Sequence, residues 1–228
     1  MPHKRLKKQY TKFSNYFKSN DMQQSLKAMD LVEKYHVGER RGGGPERSHL
    51  YEVAGQILTT FEAHVDLIEL DSLVAAGFLH DLVEDYADLY SESDLRRDFS
   101  SRCADLVMNV CKWDGFQKIE EDYIAYFDIV SSDIGSVVVK TSDRIHNMST
   151  CIGGMSPARI RKYIEEVRTY FFPMIRQARK DYPLFYMALT GMKQQLDYRI
   201  DITEAYLDLM EENKQLKKDR KELIEKYC

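Results

Sequence analysis

One histidine and three carboxylates follow each other along a single apolar, helix-like segment. Residues 76–85 read Ala-Gly-Phe-Leu-His-Asp-Leu-Val-Glu-Asp, with His80, Asp81, Glu84 and Asp85 as the polar members. Residues four apart share one face of a helix, so His80 pairs with Glu84 and Asp81 with Asp85. Burying these groups is costly unless something compensates them. A divalent cation does so, because it binds carboxylate oxygens and neutral imidazole nitrogens.

Two other segments bring comparable groups into apolar surroundings. Residues 137–148 read Val-Val-Val-Lys-Thr-Ser-Asp-Arg-Ile-His-Asn-Met and carry Asp143, while His49 begins an apolar-faced helix after the glycine-rich loop at 40–45. Taken singly, such a histidine is usually a core residue and such an aspartate is often a helix cap. Together, the three segments indicate a metal centre more strongly than any one of them alone.

The elements that position these groups are predicted to be helices. Periodicity of 3.6 residues recurs along the chain, and proline is rare (5 of 228 residues). We expect an all-α fold, a single helical bundle with a long C-terminal helix. The β-branched segment 135–140 is expected to be a buried helix. The expected helices span 21–35, 49–64, 70–86, 93–111, 120–131, 134–148, 157–180, 183–209 and a tail to the end. Ser93 with Glu92, and Ser156 with Pro157, are expected at helix starts.

Composition excludes several classes of protein. The net charge of −4 gives no general attraction to nucleic acid, and no apolar run approaches the ~20 residues that a membrane span needs. The four cysteines show no paired spacing, and the basic N-terminus is not followed by an apolar stretch. We therefore expect reduced thiols, no membrane association and a cytoplasmic location.

The motifs resemble those of the HD-domain superfamily, whose metal pattern is a histidine, a His-Asp doublet and a distant aspartate. Within it, the hydrolase domain of the RelA/SpoT-type alarmone enzymes is similar. Its "LLHDTVEDT" resembles residues 78–86, and its "VVKLADRLHNM" resembles residues 138–148. The spacing of its "LxxxFGxxVAxLVxxVTK" helix is kept between Leu95 and Lys112. The similarity covers about residues 36–173.

The first family motif, similar to "RKSGEPYxxHP", is altered here. Residues 40–50 keep an arginine, glycine, proline and His49 but lack the tyrosine and the second proline. Either Arg40 or Arg41 takes the place of the motif's arginine. The downstream "ETLxxYAPLA" has only a loose counterpart at 166–173. The long enzymes' synthetase domain has no counterpart in this sequence, which predicts a small, stand-alone alarmone hydrolase.

This resemblance implies Mn²⁺-dependent removal of the 3′-pyrophosphate of (p)ppGpp, giving GDP or GTP and pyrophosphate. It implies that one ion is bound by His49, His80, Asp81 and Asp143. It also implies that Glu84 and Asp85 orient or deprotonate water. The alternative for this pair is a solvent-facing helix end. The expected substrate-binding residues are Arg40, Arg41, Arg144 and Asn147. Salt bridges are the alternative for the arginines and helix capping for Asn147, whereas Lys140 and His146 are expected to be structural.

Three segments of the chain and three functions follow as expectations. Residues 1–20 would form a basic N-terminal arm, which is either solvated and disordered or able to bind RNA. Residues 21–200 would form the HD-type metal phosphohydrolase domain. Residues 201–228 would form a charged amphipathic helix. The leading function is the alarmone hydrolase of the stringent response. The alternatives are the same site acting on another phosphorylated substrate (an adenine alarmone, a pyrophosphorylated tRNA end in an antitoxin role, or NADPH) and a catalytically silent protein that neutralises a toxin by contact.

The C-terminal segment carries a heptad stripe with two polar members. Its residues alternate steps of four and three. They are Ile202, Tyr206, Leu209, Asn213, Leu216, Arg220, Leu223 and Tyr227. Two interpretations remain open from the sequence: a helix lying on its own domain, or a helix pair that forms a homodimer.

Overall fold

The computed structural model describes residues 2–40 and 43–227, with side chains from residue 5 onward. This part of the chain contains no β-strand; one isolated bridge joins Glu39 and Pro45. The all-α prediction is confirmed. The helices are α1 (Pro2–Ser19), α2 (Gln23–Tyr35), α3 (Arg47–Phe61), α4 (Leu67–Leu79), α5 (Leu82–Asp85), α6 (Glu92–Asp98), α7 (Ser101–Val110), α8 (Glu120–Ser131), α9 (Ile134–Thr150), α10 (Pro157–Glu166), α11 (Phe172–Asp181) and α12 (Tyr186–Tyr227).

The helix expected at 70–86 is interrupted at His80 and Asp81. Helix α4 ends at Leu79, and α5 is a single turn that begins at Leu82. The continuous helix was therefore wrong, although the amide of Asp85 still donates to the carbonyl of Asp81 over 2.8 Å. The break turns the chain at His80 and Asp81, so that both side chains face the same centre.

Two other expected helices are also interrupted. The helix at 93–111 divides because Phe99 is extended and Ser100 caps a new helix, α7. The start of α6 is capped by Ser91, in a capping box with Asp94. The helix at 157–180 contains a π-helical turn, Val167–Phe171, just before Pro173, whose missing N–H cannot continue the ladder.

Helix α4 forms the centre of the core. Residues 70–79 are all buried, and α4 packs against α2, α3, α7 and α9. Gly77 allows α3 and α4 to approach closely: a Cβ there would lie 2.5 Å from Ile57 Cδ1 and 3.3 Å from Ala54 Cα. This close approach brings the start of α3, with His49, to the end of α4, with His80.

The first helix differs from the disordered arm that we expected. Helix α1 is amphipathic: Leu6 and Phe17 are buried, and the ring of Phe13 lies 5.8 Å from that of Phe78. Its basic side chains face outward because the apolar ones pack on the core. Lys7, Lys8, Lys12 and Lys18 are exposed. The division into domains at residues 20 and 200 stays a prediction.

The last helix packs on the domain along only part of its length. Its buried residues end at Leu207, and residues 208–227 are exposed. A helix lying wholly on its own domain was therefore wrong. In the described part of the chain, every helix is too short or too polar to cross a bilayer.

Candidate metal centre

Three helices deliver the candidate ligands to one point. His49 lies in the first turn of α3, His80 and Asp81 lie at the break after α4, and Asp143 lies in the middle of α9. His49, His80 and Asp143 are buried, and about a third of the Asp81 side chain is exposed. The structure thus brings together four residues that the sequence spreads from His49 to Asp143.

The ligand atoms of His49, His80 and Asp143 all lie within 4.8 Å of one another, and Asp81 lies beside both histidines. His49 Nε2 lies 3.3 Å from His80 Nε2 and 3.2 Å from Asp143 Oδ1. Asp81 Oδ2 lies 3.3 Å from His80 Nε2 and 3.6 Å from His49 Nε2. Neighbouring ligands of an octahedral ion with bonds of about 2.1 Å are about 3 Å apart. Two imidazoles and two carboxylates suit a divalent transition ion and leave coordination positions open. The residues therefore fit a divalent-metal site.

The far nitrogen of each imidazole is held by a hydrogen bond. His80 Nδ1 lies 2.9 Å from the carbonyl oxygen of Gly77, to which it donates. His49 Nδ1 lies 2.7 Å from His146 Nδ1. Such bonds fix the tautomer in which Nε2 presents its lone pair to an ion. Both histidines therefore point Nε2 at the centre.

The charges around the centre balance a buried cation. Burial alone lowers the pKa of His80, but Asp81 and Asp143 outweigh it and raise that pKa to about 10, so His80 carries a proton until a cation takes its place. Burial favours protonation of Asp143, but Lys140 and the two histidines hold its pKa well below the usual range. Two carboxylates that stay ionised in the interior require positive charge beside them, which a bound cation supplies.

Glu84 and Asp85 lie one turn beyond the doublet, at the mouth of the site. Glu84 Oε2 accepts from the backbone amide of Lys112 over 3.3 Å, and its Oε1 lies 4.0 Å from Lys112 Nζ. Burial, with the charges of Asp81 and Glu84, raises the pKa of Asp85 to about 6. Asp85 therefore has the proton affinity that a general base near neutral pH needs.

Arg40 and Asn147 lie beside the ligands and contact each other. Arg40 donates to Asn147 Oδ1 over 2.9 Å, and Asn147 Nδ2 donates to Asp143 Oδ1 over 2.5 Å. A second guanidinium nitrogen of Arg40 lies 3.2 Å from His146 Nδ1. Arg40 is therefore connected to the metal centre through two routes.

Of the two other arginines expected at the site, the structure describes only Arg144. Arg144 donates to Glu166 over 2.8 Å, and its guanidinium lies between the rings of Tyr163 (4.5 Å) and Phe171 (4.7 Å). It also lines the cleft in front of the metal centre. Arg41 lies outside the described residues.

Sequence reasoning missed several residues that touch the centre. Lys140 was expected to be structural, yet its buried Nζ lies 3.3 Å from Asp143 Oδ2. The structure places His146 against His49, and Lys112 and Glu46 line the same cleft. Lys140 and His146 each lie three residues from Asp143, a spacing that puts helical side chains near one another and could have revealed both.

The metal centre lies in a cleft of about 370 Å³ that opens into a second cavity of about 640 Å³. Both are lined by Arg40, Glu46, Asp85, Asn147, Arg159 and Tyr163. The glycine-rich loop and the end of α9 border the second cavity through Gly43 and Thr150. A ligand with a phosphorylated end and a larger body could therefore occupy the two spaces together.

A family model described as the HD domain matches residues 28–179, which include all four candidate ligands. The chain belongs to the HD domain family.

Curated relatives of this HD domain protein are named after alarmone metabolism. A probable guanosine-3′,5′-bis(diphosphate) 3′-pyrophosphohydrolase of Synechocystis is 34% identical over 146 residues, covering 61% of this chain and 18% of the relative. The Haemophilus influenzae guanosine-3′,5′-bis(diphosphate) 3′-pyrophosphohydrolase is 26% identical over 81% of this chain and 27% of its own. A Myxococcus xanthus GTP pyrophosphokinase is 27% identical over 94% of this chain and 28% of its own. The chain spans less than a third of the length of these relatives.

A solved structure has the same fold. It belongs to a metazoan SpoT ortholog, described as hydrolysing ppGpp, and superposes with a TM-score of 0.56 over 79% of this chain and 93% of that one. The two sequences are 18% identical, so the likeness establishes the helical HD-domain architecture.

Proposed function

We propose that this HD domain protein hydrolyses the 3′-pyrophosphate of a guanine alarmone, (p)ppGpp. Water adds to the 3′-linked phosphorus, the bond from that phosphorus to the 3′ oxygen breaks, and the products are GDP or GTP and pyrophosphate. The observation that carries the proposal is the cluster of His49, His80, Asp81 and Asp143 at the inner end of a cleft that continues into a nucleoside-sized cavity.

His49, His80, Asp81 and Asp143 would hold the cation, for which Mn²⁺ is our candidate. When bound, a divalent ion lowers the pKa of water and offsets negative charge on a phosphoryl group. The carboxylates of Asp81 and Asp143 stay ionised and available as ligands, because their pKa values are held low.

Asp85 is the candidate general base and Glu84 its orienting neighbour. Asp85 has a pKa of about 6, so near neutral pH it is ionised and can accept a proton from water. Glu84 is tied to the amide of Lys112 and limits how far this turn can move. A positioned base contributes typically ~10²–10⁴-fold to rate.

Cationic side chains line the same cleft as these acids. Lys112, Lys140, Arg144 and Arg159 all border it. Their charges would bind the pyrophosphate oxygens, for which guanidinium groups are well shaped. Arg40 and Asn147 border the second cavity as well, where they would contact the ribose or base. Arg41 stays a candidate for the same role.

The test is a panel of ppGpp, pppGpp, ppApp, NADPH and GTP with added Mn²⁺, in which released pyrophosphate and orthophosphate are measured separately. We expect pyrophosphate from the guanine alarmones, and little from Asp143→Asn. Asp88 is an exposed carboxylate three residues beyond Asp85, and Asp88→Asn is the matched control that should keep full activity. Orthophosphate from simple nucleotides, or no product at all, would contradict the proposal.

The alternatives are outcomes of related measurements. Pyrophosphate released from ppApp or from a pyrophosphorylated tRNA end would keep the site and change the substrate. If a protein partner or toxin is neutralised by contact alone, Glu84→Ala with Asp85→Ala would leave the biological effect unchanged while folding is intact. A cytosolic location belongs to this proposal, since Cys103, Cys111 and Cys151 are free thiols.

A further inference from the structure

The exposed end of α12 has a regular apolar stripe that its own domain does not cover. Ile202, Leu209, Leu216 and Leu223 recur every seven residues and are 63%, 58%, 58% and 57% exposed. The residues that anchor α12 to the domain, such as Thr203 and Leu207, lie on a different face. The stripe is therefore free to meet another chain.

This extension lacks the tertiary contacts that normally stabilise a helix. Residues 208–227 are all exposed and would extend about 30 Å at 1.5 Å per residue. Helices of this length are marginal in water without packing. Its ion pairs, such as Lys218–Glu222 and Lys221–Glu225, lie outside the apolar stripe and leave it unobstructed.

We propose that two copies of this chain pair through residues 209–227 as a parallel two-stranded coiled coil. Leu209, Leu216 and Leu223 take the d positions, and Leu at d is typical of two-stranded coils. Asn213 then takes an a position. A single asparagine at a specifies the register and the two-stranded state, because it contacts Asn213 of the second chain. Arg220 is the other polar residue at a.

Charge favours the parallel arrangement of two identical chains. With this register Glu212 is at g and Lys217 at the following e position, which meet across the interface of a parallel coil. Symmetry makes two such pairs, each joining opposite charges, so the surface is complementary to itself. All residues of the metal centre come from one chain, so this pairing does not depend on the proposed catalysis.

Sedimentation velocity of the full chain tests the proposal. We expect a dimer in the range of about 10–100 µM, and a monomer for Leu216→Glu. Glu212→Lys and Lys217→Glu should each weaken association about tenfold, because two attractive pairs become repulsive. An equimolar mixture of these two single variants should recover native affinity as a heterodimer.

Glu225→Lys, on the outer face, is the control with the same change of charge and should leave association unaltered. Circular dichroism of each variant should show that the domain is folded. A native chain that is monomeric at about 100 µM overturns the proposal. So does a dimer that Glu212→Lys leaves unchanged, or that Glu225→Lys weakens equally.

Discussion

His49 Nδ1 and His146 Nδ1 lie 2.7 Å apart, which makes His146 the hydrogen-bond acceptor that orients a candidate metal ligand. Burial, together with the charges of His49 and Arg40, lowers the pKa of His146 to about 3. The ring is therefore neutral, and its single Nδ1 lone pair faces His49 Nδ1 at 2.7 Å and the guanidinium of Arg40 at 3.2 Å. This arrangement connects the glycine-rich loop to the metal centre.

Replacing His146 should weaken metal binding without unfolding the protein. We expect His146→Leu to lower Mn²⁺ affinity about 10–100-fold, because the N–H of His49 loses its acceptor. His146→Gln supplies a carbonyl oxygen and should recover most of the affinity. Electron paramagnetic resonance of free Mn²⁺ measures both, with His64→Gln as the control. Native affinity in His146→Leu would show that His146 does not position His49.

Asp85 should set the acid side of the pH–rate profile. Its carboxylate accepts a proton only when ionised, so kcat/KM should rise with pH through about 6 and level off above it. A bound cation lowers this pKa, so the midpoint should lie at or below 6. Asp85→Asn should lower kcat by about 10²–10⁴-fold and remove this acid limb. An unchanged limb in Asp85→Asn would assign it to another group.

Much of this site could be predicted from the sequence because its ligands stand in long, specific motifs. His80-Asp81 and Asp143 follow apolar runs that must be buried, and these runs place them in the interior. The contacts of Lys140 and His146 could not be predicted, because they depend on which atoms face Asp143 and His49. That orientation is fixed by the packing of α3 against α9, which helical periodicity alone does not specify.

The fold was predicted at the level of helices but not of their ends. The π-helical turn at 167–171 and the break at His80 depend on tertiary contacts, so a continuous 3.6-residue pattern concealed them. In α1 the basic residues suggested a solvated arm, yet Leu6, Phe13 and Phe17 are spaced along one face and pack on the core. For α1, the spacing of the apolar residues therefore predicts the packing better than the number of basic residues does.

Gly77→Ala should destabilise the protein, because α3 and α4 touch at this position. The added methyl group would meet buried Ile57 and the backbone of Ala54. We expect a loss of about 1–3 kcal/mol in the free energy of unfolding. Gly191→Ala, where the added group meets open space within α12, should gain up to about 1 kcal/mol. Urea denaturation measures both, and equal effects would contradict the close packing of α3 and α4.

Arg102 should be the most important ion-pair residue for the stability of α9. It donates to Glu69 over 2.6 Å and to Asp133 over 2.5 Å, and Asp133 caps the helix that carries Asp143. Arg102→Ala should cost about 2 kcal/mol in unfolding free energy, because two half-buried carboxylates lose their partner. The exposed Arg97→Ala should change it by less than about 0.5 kcal/mol. Similar losses in both variants would refute a special role for Arg102.

A single cation held by four side chains is the central claim, and anomalous diffraction from Mn²⁺-loaded crystals tests it most directly. We predict one strong peak per chain, about 2.0–2.3 Å from His49 Nε2, His80 Nε2 and carboxylate oxygens of Asp81 and Asp143. The same peak should be lost in Asp143→Asn. A loaded crystal with no peak among these atoms, or with manganese bound only elsewhere, would contradict the account.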